Sequence, residues 1–174
     1  MIFIITGPPG AGKTTVSQEL LKAFRKGIHL PVDDIRHWVV SGLEDSTDWT
    51  EETDRQFRIA ERAACAIASE YAESGFTVAF DHCRNLPRLN QMMEDHLASH
   101  PIIKVCLLPD LQVNLERNLT RTNKSFDTAE LIEIIHGMQA HYREADKSGW
   151  FVIDSTQLTV QDVVSEILKS VSRS

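Results

Sequence analysis

The sequence has few cysteines, and their placement argues against a disulfide framework. Cys65, Cys83 and Cys106 lie far apart, with no C-x-x-C pair and an odd total. Isolated thiols of this kind are typical of proteins in a reducing compartment rather than of a disulfide-bonded secreted domain. The sequence also lacks a secretory leader pattern and any apolar run long enough to cross a membrane. We therefore expect a cytoplasmic protein with reduced thiols and no membrane partner.

Positive charge is also in short supply. The chain contains 18 lysines and arginines against 25 aspartates and glutamates, which gives a net charge of -7. Proteins that hold a nucleic-acid backbone usually show a basic balance or a basic stripe, and no such stripe is present. This argues against a long nucleic acid as partner, although local basic residues at a site could hold a short one.

No internal repeat, low-complexity tract or linker divides the chain. Hydrophobic residues make up 42% of the sequence and charged residues 25%, as in an ordinary globular protein. A length of 174 residues is enough to bury the core of one domain. The sequence predicts a single domain over residues 1–174.

The opening stretch contains the most informative motif. The apolar, β-branched run at residues 2–5 predicts a buried strand, and residues 7–14 (GPPGAGKT) match the phosphate-loop pattern G-x-x-x-x-G-K-[ST]. Glycines let successive backbone N–H groups converge on a phosphate, Lys13 adds a mobile positive charge, and the Thr14 hydroxyl can ligate Mg²⁺. The alternative is a glycine-rich turn that binds nothing, but the order of strand, motif and helix favours a nucleotide triphosphate. The predicted nucleotide contacts are Gly7, Gly10, Ala11, Gly12, Lys13, Thr14 and Thr15.

Strand and helix patterns alternate along the rest of the chain. Predicted strands cover residues 2–5, 28–32, 76–80, 102–108 and 150–153. Predicted helices cover residues 14–26, 35–40, 51–74, 110–121, 127–147 and 159–171, and a further helix opens at residue 85. With right-handed crossovers, this order predicts an α/β fold of three layers, the P-loop NTPase fold, with a five-stranded parallel sheet and a small helical lid. The polar, acidic stretch 41–50 is predicted to be a mobile segment or the edge of the lid.

Polar residues at the carboxyl ends of the predicted strands are candidates for chemistry, because ligands bind beyond that edge of a parallel sheet. Asp33 and Asp34 close the second strand, where a carboxylate can accept a proton from an acceptor hydroxyl, but an aspartate can equally cap the following helix. Asp81 follows a hydrophobic strand and is predicted to take part in a Mg²⁺ site. Arg84, on the same edge, is predicted to contact the acceptor. The histidines without metal-ligand spacing are expected to be structural or exposed, namely His29, His96, His100, His136 and His141.

Two arginines precede a polar connector. Arg117 and Arg121 are four residues apart and therefore share one face of a predicted helix. A mobile arginine that closes over a transferring phosphoryl group stabilises the charge that builds on its oxygens. The alternative is a solvated face paired with Glu116 and Asp110. We predict a lid over about residues 117–128.

Together these residues resemble the P-loop kinase superfamily. The likeness is strongest to the branch, AAA_33-like, that holds the 5′-hydroxyl polynucleotide kinases, chloramphenicol phosphotransferase and zeta-toxin-like kinases, and it extends to gluconate and shikimate kinases. It is carried by residues 7–15 (GPPGAGKTT), residues 32–36 (VDDIR) and residues 117–124 (RNLTRTNK). The resemblance implies that Asp33 is the general base, that Arg36 holds the acceptor, and that Arg121 reaches the transferred group with support from Arg117.

The same resemblance implies roles for two further segments. Residues 151–156 (FVIDST) resemble the segment that lines the adenine, which implies a nucleotide contact for Thr156. The acceptor-binding segment would span about residues 36–60, and the part from residue 38 to residue 53 matches no member of the family well enough to indicate a substrate.

The sequence as a whole predicts an ATP- and Mg²⁺-dependent kinase that phosphorylates a hydroxyl of a small molecule, such as a sugar acid, a nucleoside-like metabolite or an antibiotic. One alternative is a 5′-hydroxyl oligonucleotide kinase. Another is a nucleotide-binding switch or slow NTPase that acts through a protein partner, although no N-K-x-D guanine-reading pattern is present. A weak homodimer is left open, and no residue of the sequence argues for it.

Overall fold

The computed structural model describes residues 1–120 and 131–171. The strands are β1 (Ile2–Thr6), β2 (Gly27–Pro31), β3 (Thr77–Asp81), β4 (Ile102–Leu107) and β5 (Phe151–Ile153). The helices are α1 (Lys13–Leu21), α2 (Val32–Arg36), α3 (Glu51–Glu73), α4 (Leu86–His96), α5 (Leu111–Thr120), α6 (Ile132–Glu144) and α7 (Val160–Val171). No helix in the described part of the chain combines the length and the apolar character needed to cross a membrane.

The five strands form one parallel sheet in the order β2-β3-β1-β4-β5, which confirms the predicted fold class. The central strand, β1, is buried along its whole length, as its run of isoleucine and phenylalanine predicts. Asp81 at the end of β3 pairs in register with Ile5 of β1 on one side and with Pro31 of β2 on the other. The residues that follow β1, β2 and β3 therefore meet at one edge of the sheet.

Alternate residues of β1 supply the cores on the two faces of the sheet. Ile2 and Ile4 belong to one cluster of buried apolar residues, which includes Ala64 of α3 and Leu89 of α4. Phe3 and Ile5 belong to a second cluster, with side chains of α1 and α7. Because successive side chains of a strand point to opposite faces, the two clusters establish the three layers that the sequence predicted.

The predicted boundaries of three elements are wrong for local reasons. The second strand ends at Pro31 rather than at residue 32, and the short helix covers Val32–Arg36 rather than residues 35–40. Asp33 and Asp34 consequently lie in the first turn of α2, just past the sheet edge. The first helix ends at Leu21 rather than at residue 26, because the chain continues in tighter turns in which each amide bonds the carbonyl three residues earlier.

The structure describes residues 117–120 of the predicted lid, at the end of α5, and the helix α6 that follows the lid. This helix begins at Ile132 and ends at Glu144, within the predicted helix at 127–147. The predicted lid at 117–128 lies outside the described residues from residue 121 onward. Residues 37–50, which include the predicted mobile segment 41–50, contain no helix or strand and connect α2 to α3.

Candidate functional site

The phosphate loop joins β1 to α1 in a conformation that depends on glycine. Gly7, Gly10 and Gly12 all have positive φ angles, of 146°, 85° and 95°. Gly12 is the N-cap of α1, and the space beside its Cα is open, so the first amides of the helix border a free volume. Lys13 folds back over the loop, where its Nζ donates to the carbonyls of Gly7 (3.0 Å) and Pro8 (3.2 Å). Backbone donors and one cation thus surround a space suited to phosphate.

Gly7 offers a direct test of this loop. A Cβ at this position would lie 2.3 Å from the carbonyl oxygen of Leu107 in β4, which is a backbone atom that cannot move aside. We expect Gly7→Ala to lower the free energy of unfolding by about 1–3 kcal/mol and to weaken ATP binding, because clash and positive φ act together.

The control is Gly137→Ala in α6, where a Cβ meets no atom within 4 Å. That change should leave stability the same or raise it by up to about 1 kcal/mol, since alanine favours a helix. Urea unfolding of both variants measures the difference. An unchanged midpoint for Gly7→Ala would contradict the close packing of this loop on β4.

A carboxylate and a hydroxyl meet beside the loop. The Thr14 hydroxyl donates to Oδ2 of Asp81 at 2.7 Å, and Nε2 of His29 lies 3.2 Å from the same oxygen. Asp81 is buried, which by itself would raise its pKa. The hydrogen bond with His29 and the charge of Lys13 outweigh that effect and lower the pKa of Asp81 below its ordinary value. The carboxylate is therefore held in its charged form.

His29 is a site residue that the sequence reasoning missed. It was expected to be structural or exposed, but it is half-buried and contacts Asp81. The pairing of β2 with β3 is the signal that could have identified His29. Since His29 pairs with Ala79, two residues before Asp81, it is a diagonal neighbour of that carboxylate once β2 is placed beside β3.

Two cavities meet at the phosphate loop. The smaller one, of about 380 Å³, is lined by residues 10–16, by Arg117 and by residues of the turn after β5. The larger one, of about 490 Å³, is lined by Asp33, Asp34 and Arg36 of α2 and by Asp81. Lys13 and Thr14 border both cavities. A group bound at the inner end of either cavity therefore lies beside the same lysine and threonine.

The sequence matches a family model over most of its length. The model is AAA_18, described as an AAA domain, and it matches residues 3–136. The chain belongs to the AAA_18 family. No curated protein matches the sequence at a significant level.

Several solved structures share the fold of this AAA_18 protein. The Deinococcus radiodurans tunicamycin resistance protein is 17% identical, with a TM-score of 0.69 over 98% of this chain and 94% of that chain. A sugar kinase from Janibacter sp. HTCC2649 is 13% identical, with a TM-score of 0.72 over 98% and 94%. Shikimate kinase from Acinetobacter baumannii, in complex with shikimate, is 19% identical, with a TM-score of 0.62 over 99% and 93%. At these identities the likeness shows the fold alone, and it confirms the predicted P-loop kinase fold.

In this AAA_18 domain, Arg36 lines the larger cavity but is already engaged. The side chain is only 4% exposed, and its guanidinium donates to the carbonyl of Glu44. The same group lies 4.5 Å from the centre of the Phe57 ring. The predicted acceptor contact of Arg36 remains a prediction, and its observed contacts fix the start of the segment between α2 and α3.

The position of Arg84 differs from the expectation. Its guanidinium pairs with Asp54 and with Glu61 (3.1 Å), and it lies 4.7 Å from the centre of the Trp49 ring. Two carboxylates and an aromatic face thus occupy the group that was expected to contact the acceptor. Arg84 supports the wall of the larger cavity through Trp49, which lines it.

Glu61 organises this support and was not identified from the sequence. It is fully buried, and it accepts hydrogen bonds from Arg84 and Arg88 and lies 3.1 Å from Nε2 of His82. Burial alone would raise its pKa, but the contacts with His82 and the two arginines lower it to about 2. Glu61 lies four residues after Phe57 and therefore falls in the apolar stripe of α3. A charged residue at such a position is rare unless it is paired, so the sequence contained a signal for a buried ion pair.

Two of the predicted nucleotide contacts, Gly7 and Thr156, do not line the smaller cavity. Arg117 donates to the carbonyl of Ser155 at 3.0 Å and lines the smaller cavity. The Thr156 hydroxyl instead shapes the turn after β5, since it accepts from the amide of Asp110 at 2.7 Å and donates to Asp154. The neighbouring Ser155 lines the cavity in place of Thr156. Arg121 lies outside the described residues.

A buried tyrosine connects α6 to the sheet edge. The Tyr142 hydroxyl donates to the carbonyl of Arg84 at 2.6 Å and contacts the Thr6 hydroxyl at 2.6 Å. Burial raises the pKa of Tyr142 well above its ordinary value, so the hydroxyl stays protonated. Through this residue α6 is attached to the ends of β1 and β3, while its first turns supply Ile134 and Met138 to the larger cavity.

Proposed function

We propose that this AAA_18 protein is an ATP- and Mg²⁺-dependent kinase that transfers the γ-phosphoryl group to a hydroxyl of a small molecule. The observation that carries the proposal is the pair of cavities that share Lys13 and Thr14. A nucleotide-binding switch needs only the smaller cavity, whereas a transferase needs a second one at the same lysine. The sugar kinase and the shikimate kinase among the structures of the same fold also support a small-molecule acceptor.

The smaller cavity suits the nucleotide. The first amides of α1 and the Nζ of Lys13 would bind the phosphates, because unpaired N–H groups and the helix dipole favour an anion there. Arg117 and Ser155 border the outer part of the cavity, where the rest of the nucleotide would lie. Gly12 leaves the space beside the loop open for this contact.

Thr14 and Asp81 fit a Mg²⁺ ion. The Thr14 hydroxyl oxygen and Oδ2 of Asp81 lie 2.7 Å apart. Among residues 1–120 and 131–171, no group of three or more histidine, cysteine, aspartate or glutamate side chains is arranged to hold a metal. Mg²⁺ prefers a coordination shell completed by phosphate oxygens and water to a cage made of protein ligands alone. When bound, Mg²⁺ neutralises charge on the phosphates. His29 would keep the Asp81 carboxylate oriented toward Thr14.

Asp33 would accept the proton of the acceptor hydroxyl. It lies in the first turn of α2, half-buried, and lines the larger cavity together with Lys13. Arg36 follows it by three residues on the same side of the helix and lines the same cavity. Asp33 would draw off the proton as the hydroxyl attacks, while Lys13 keeps the transferring group in place.

The proposal is tested by ADP release with Mg²⁺ against a panel of acceptors: sugar acids, nucleosides, aminoglycoside and phenicol antibiotics, and short 5′-hydroxyl oligonucleotides. We expect at least one acceptor to stimulate ADP release about tenfold or more over the basal rate, with a phosphorylated product visible by mass spectrometry. Lys13→Met should abolish both the basal and the stimulated rates. ADP release that no acceptor stimulates would contradict the proposal and favour the switch.

A further inference from the structure

The larger cavity is rich in negative charge. Three carboxylates line it, those of Asp33, Asp34 and Asp81, against the two permanent cations Lys13 and Arg36. Lys13 also borders the nucleotide cavity, so the phosphates of ATP would take up its charge. Mg²⁺ at Thr14 and Asp81 would offset the charge of Asp81 and part of the phosphate charge, which leaves Asp33 and Asp34 as the carboxylates that face the acceptor. An anionic acceptor would enter against this field.

Contacts within the protein hold the two arginines next to the cavity. Arg36 is nearly buried, bonds the Glu44 carbonyl and packs on Phe57, and its Nε, which has no hydrogen-bond partner among the described residues, is buried away from the surface. Arg84 is held by Asp54 and Glu61. Among residues 1–120 and 131–171, no other arginine and no other lysine than Lys13 lines this cavity. The described part of the site therefore offers no open guanidinium fork for a carboxylate.

One side of the remaining lining is apolar, whereas Gln18, His29, His37, Ser46 and Thr47 supply polar groups elsewhere. Trp49 stacks on Phe57, with ring centres 5.0 Å apart and planes inclined by 19°, and both rings line the cavity. Trp49 is half-exposed even though Phe57 and the Arg84 guanidinium lie against its ring, so the exposed part of the indole can contact a ligand. Ile134 and Met138, one helical turn apart on α6, add an aliphatic surface. A flat apolar group can bury area against these side chains.

We propose that the acceptor is an uncharged or cationic alcohol that carries a flat apolar group, such as an aryl ring, and not a carboxylate-bearing sugar acid. The proposal rests on the proposed kinase reaction, because it takes the larger cavity as the acceptor site. Asp33 would face the reacting hydroxyl, Trp49 and Met138 would contact the apolar group, and Asp34 would disfavour a negative charge on the acceptor.

The test uses four glycosides that separate charge from the aryl group: methyl and phenyl β-D-glucoside, and methyl and phenyl β-D-glucuronide. Dissociation constants are measured by ligand-observed NMR with the full chain, Mg²⁺ and a non-hydrolysable ATP analogue. We expect phenyl glucoside to bind about tenfold more tightly than methyl glucoside, and about tenfold more tightly than phenyl glucuronide. Glucuronides that bind as tightly as glucosides, a phenyl group without effect, or saturation by none of the four at millimolar concentration would each overturn the proposal.

A charge variant links the preference to this cavity. Asp34→Asn should reduce the ratio between phenyl glucoside and phenyl glucuronide by about threefold, because one of the three carboxylates loses its charge. The matched control is Asp95→Asn on the exposed face of α4, which should leave the ratio unchanged. An equal ratio in both variants would place the discrimination outside this cavity.

Phosphoryl transfer is followed separately, so that the two proposals can fail independently. ATP-dependent phosphorylation that favours a glucuronide or another sugar acid would overturn the acceptor class and leave the kinase proposal in place. The expected order of binding, without ATP-dependent transfer to any alcohol in the panel, would overturn the kinase reaction and leave the chemical preference of the cavity in place.

Discussion

Asp33→Asn should lower the turnover number about a thousandfold, within the range of about 10²–10⁴ that a positioned general base contributes. Asparagine has nearly the same shape as aspartate, so α2 and the cavity beside it should persist. The amide oxygen, however, cannot take up the proton of the acceptor hydroxyl. We expect the dissociation constant for ATP to change by no more than about twofold, because Asp33 borders the larger cavity and not the nucleotide cavity.

The neighbouring aspartate supplies the control for this experiment. Asp34 is exposed, lies on the same short helix and carries the same charge. Asp34→Asn should change the turnover number less than about tenfold, because a general base must lie within hydrogen-bond reach of the reacting hydroxyl. Full turnover in Asp33→Asn would exclude Asp33 as the base. A larger loss in Asp34→Asn than in Asp33→Asn would exchange the roles of the two residues.

Glu61→Ala should cost about 3–5 kcal/mol of the free energy of unfolding, the usual effect of removing one partner from a buried ion pair. The substitution leaves His82, Arg84 and Arg88 without their common carboxylate in a region where Glu61 itself is fully buried. Arg84 keeps Asp54, but Arg88 loses its carboxylate partner, and a largely buried cation without a partner is far more costly than a lost surface pair. Urea unfolding at pH 7 measures the change.

The exposed Glu70 on the same helix is the matched control, and Glu70→Ala should change stability by about 0.5 kcal/mol or less. A similar small effect of Glu61→Ala would show that the buried network adds little.

The pH dependence of stability provides a second test of Glu61. The pKa of Glu61 is lowered from 4.5 to about 2 in the folded protein, so its contribution is present above pH 4.5 and is lost as the pH falls toward 2. The stability difference between wild type and variant should therefore shrink over that range.

The parts of the molecule that were predicted correctly carry local signals. The run at residues 2–5 is apolar and β-branched, and it forms the buried central strand. The phosphate loop is contiguous in sequence, so its residues can be recognised without knowing what lies beside them. The predicted end of β2 is wrong by one residue, because the strand ends at Pro31 and the helix α2 begins at Val32.

The parts that were missed depend on neighbours far away in the sequence. His29 reaches Asp81 only because β2 pairs with β3, and Glu61 becomes an ion-pair centre only because the residues after β3 lie against α3. Arg84 follows the sheet edge as predicted, yet Asp54 and Glu61 hold its guanidinium. Which partner a charged side chain takes is decided by tertiary contacts, and a sequence pattern does not show it.

The attachment of Tyr142 holds one end of the helix α6. Its hydroxyl is fixed to the carbonyl of Arg84 and the hydroxyl of Thr6, whereas Ile134, eight residues earlier, lies about 12 Å away along the helix axis at 1.5 Å per residue. Gln139, between these two positions, donates a second buried hydrogen bond, to the carbonyl of Pro109. The wall that α6 gives to the larger cavity is therefore set by the fold before an acceptor binds, and an acceptor of suitable width need not reorganise it.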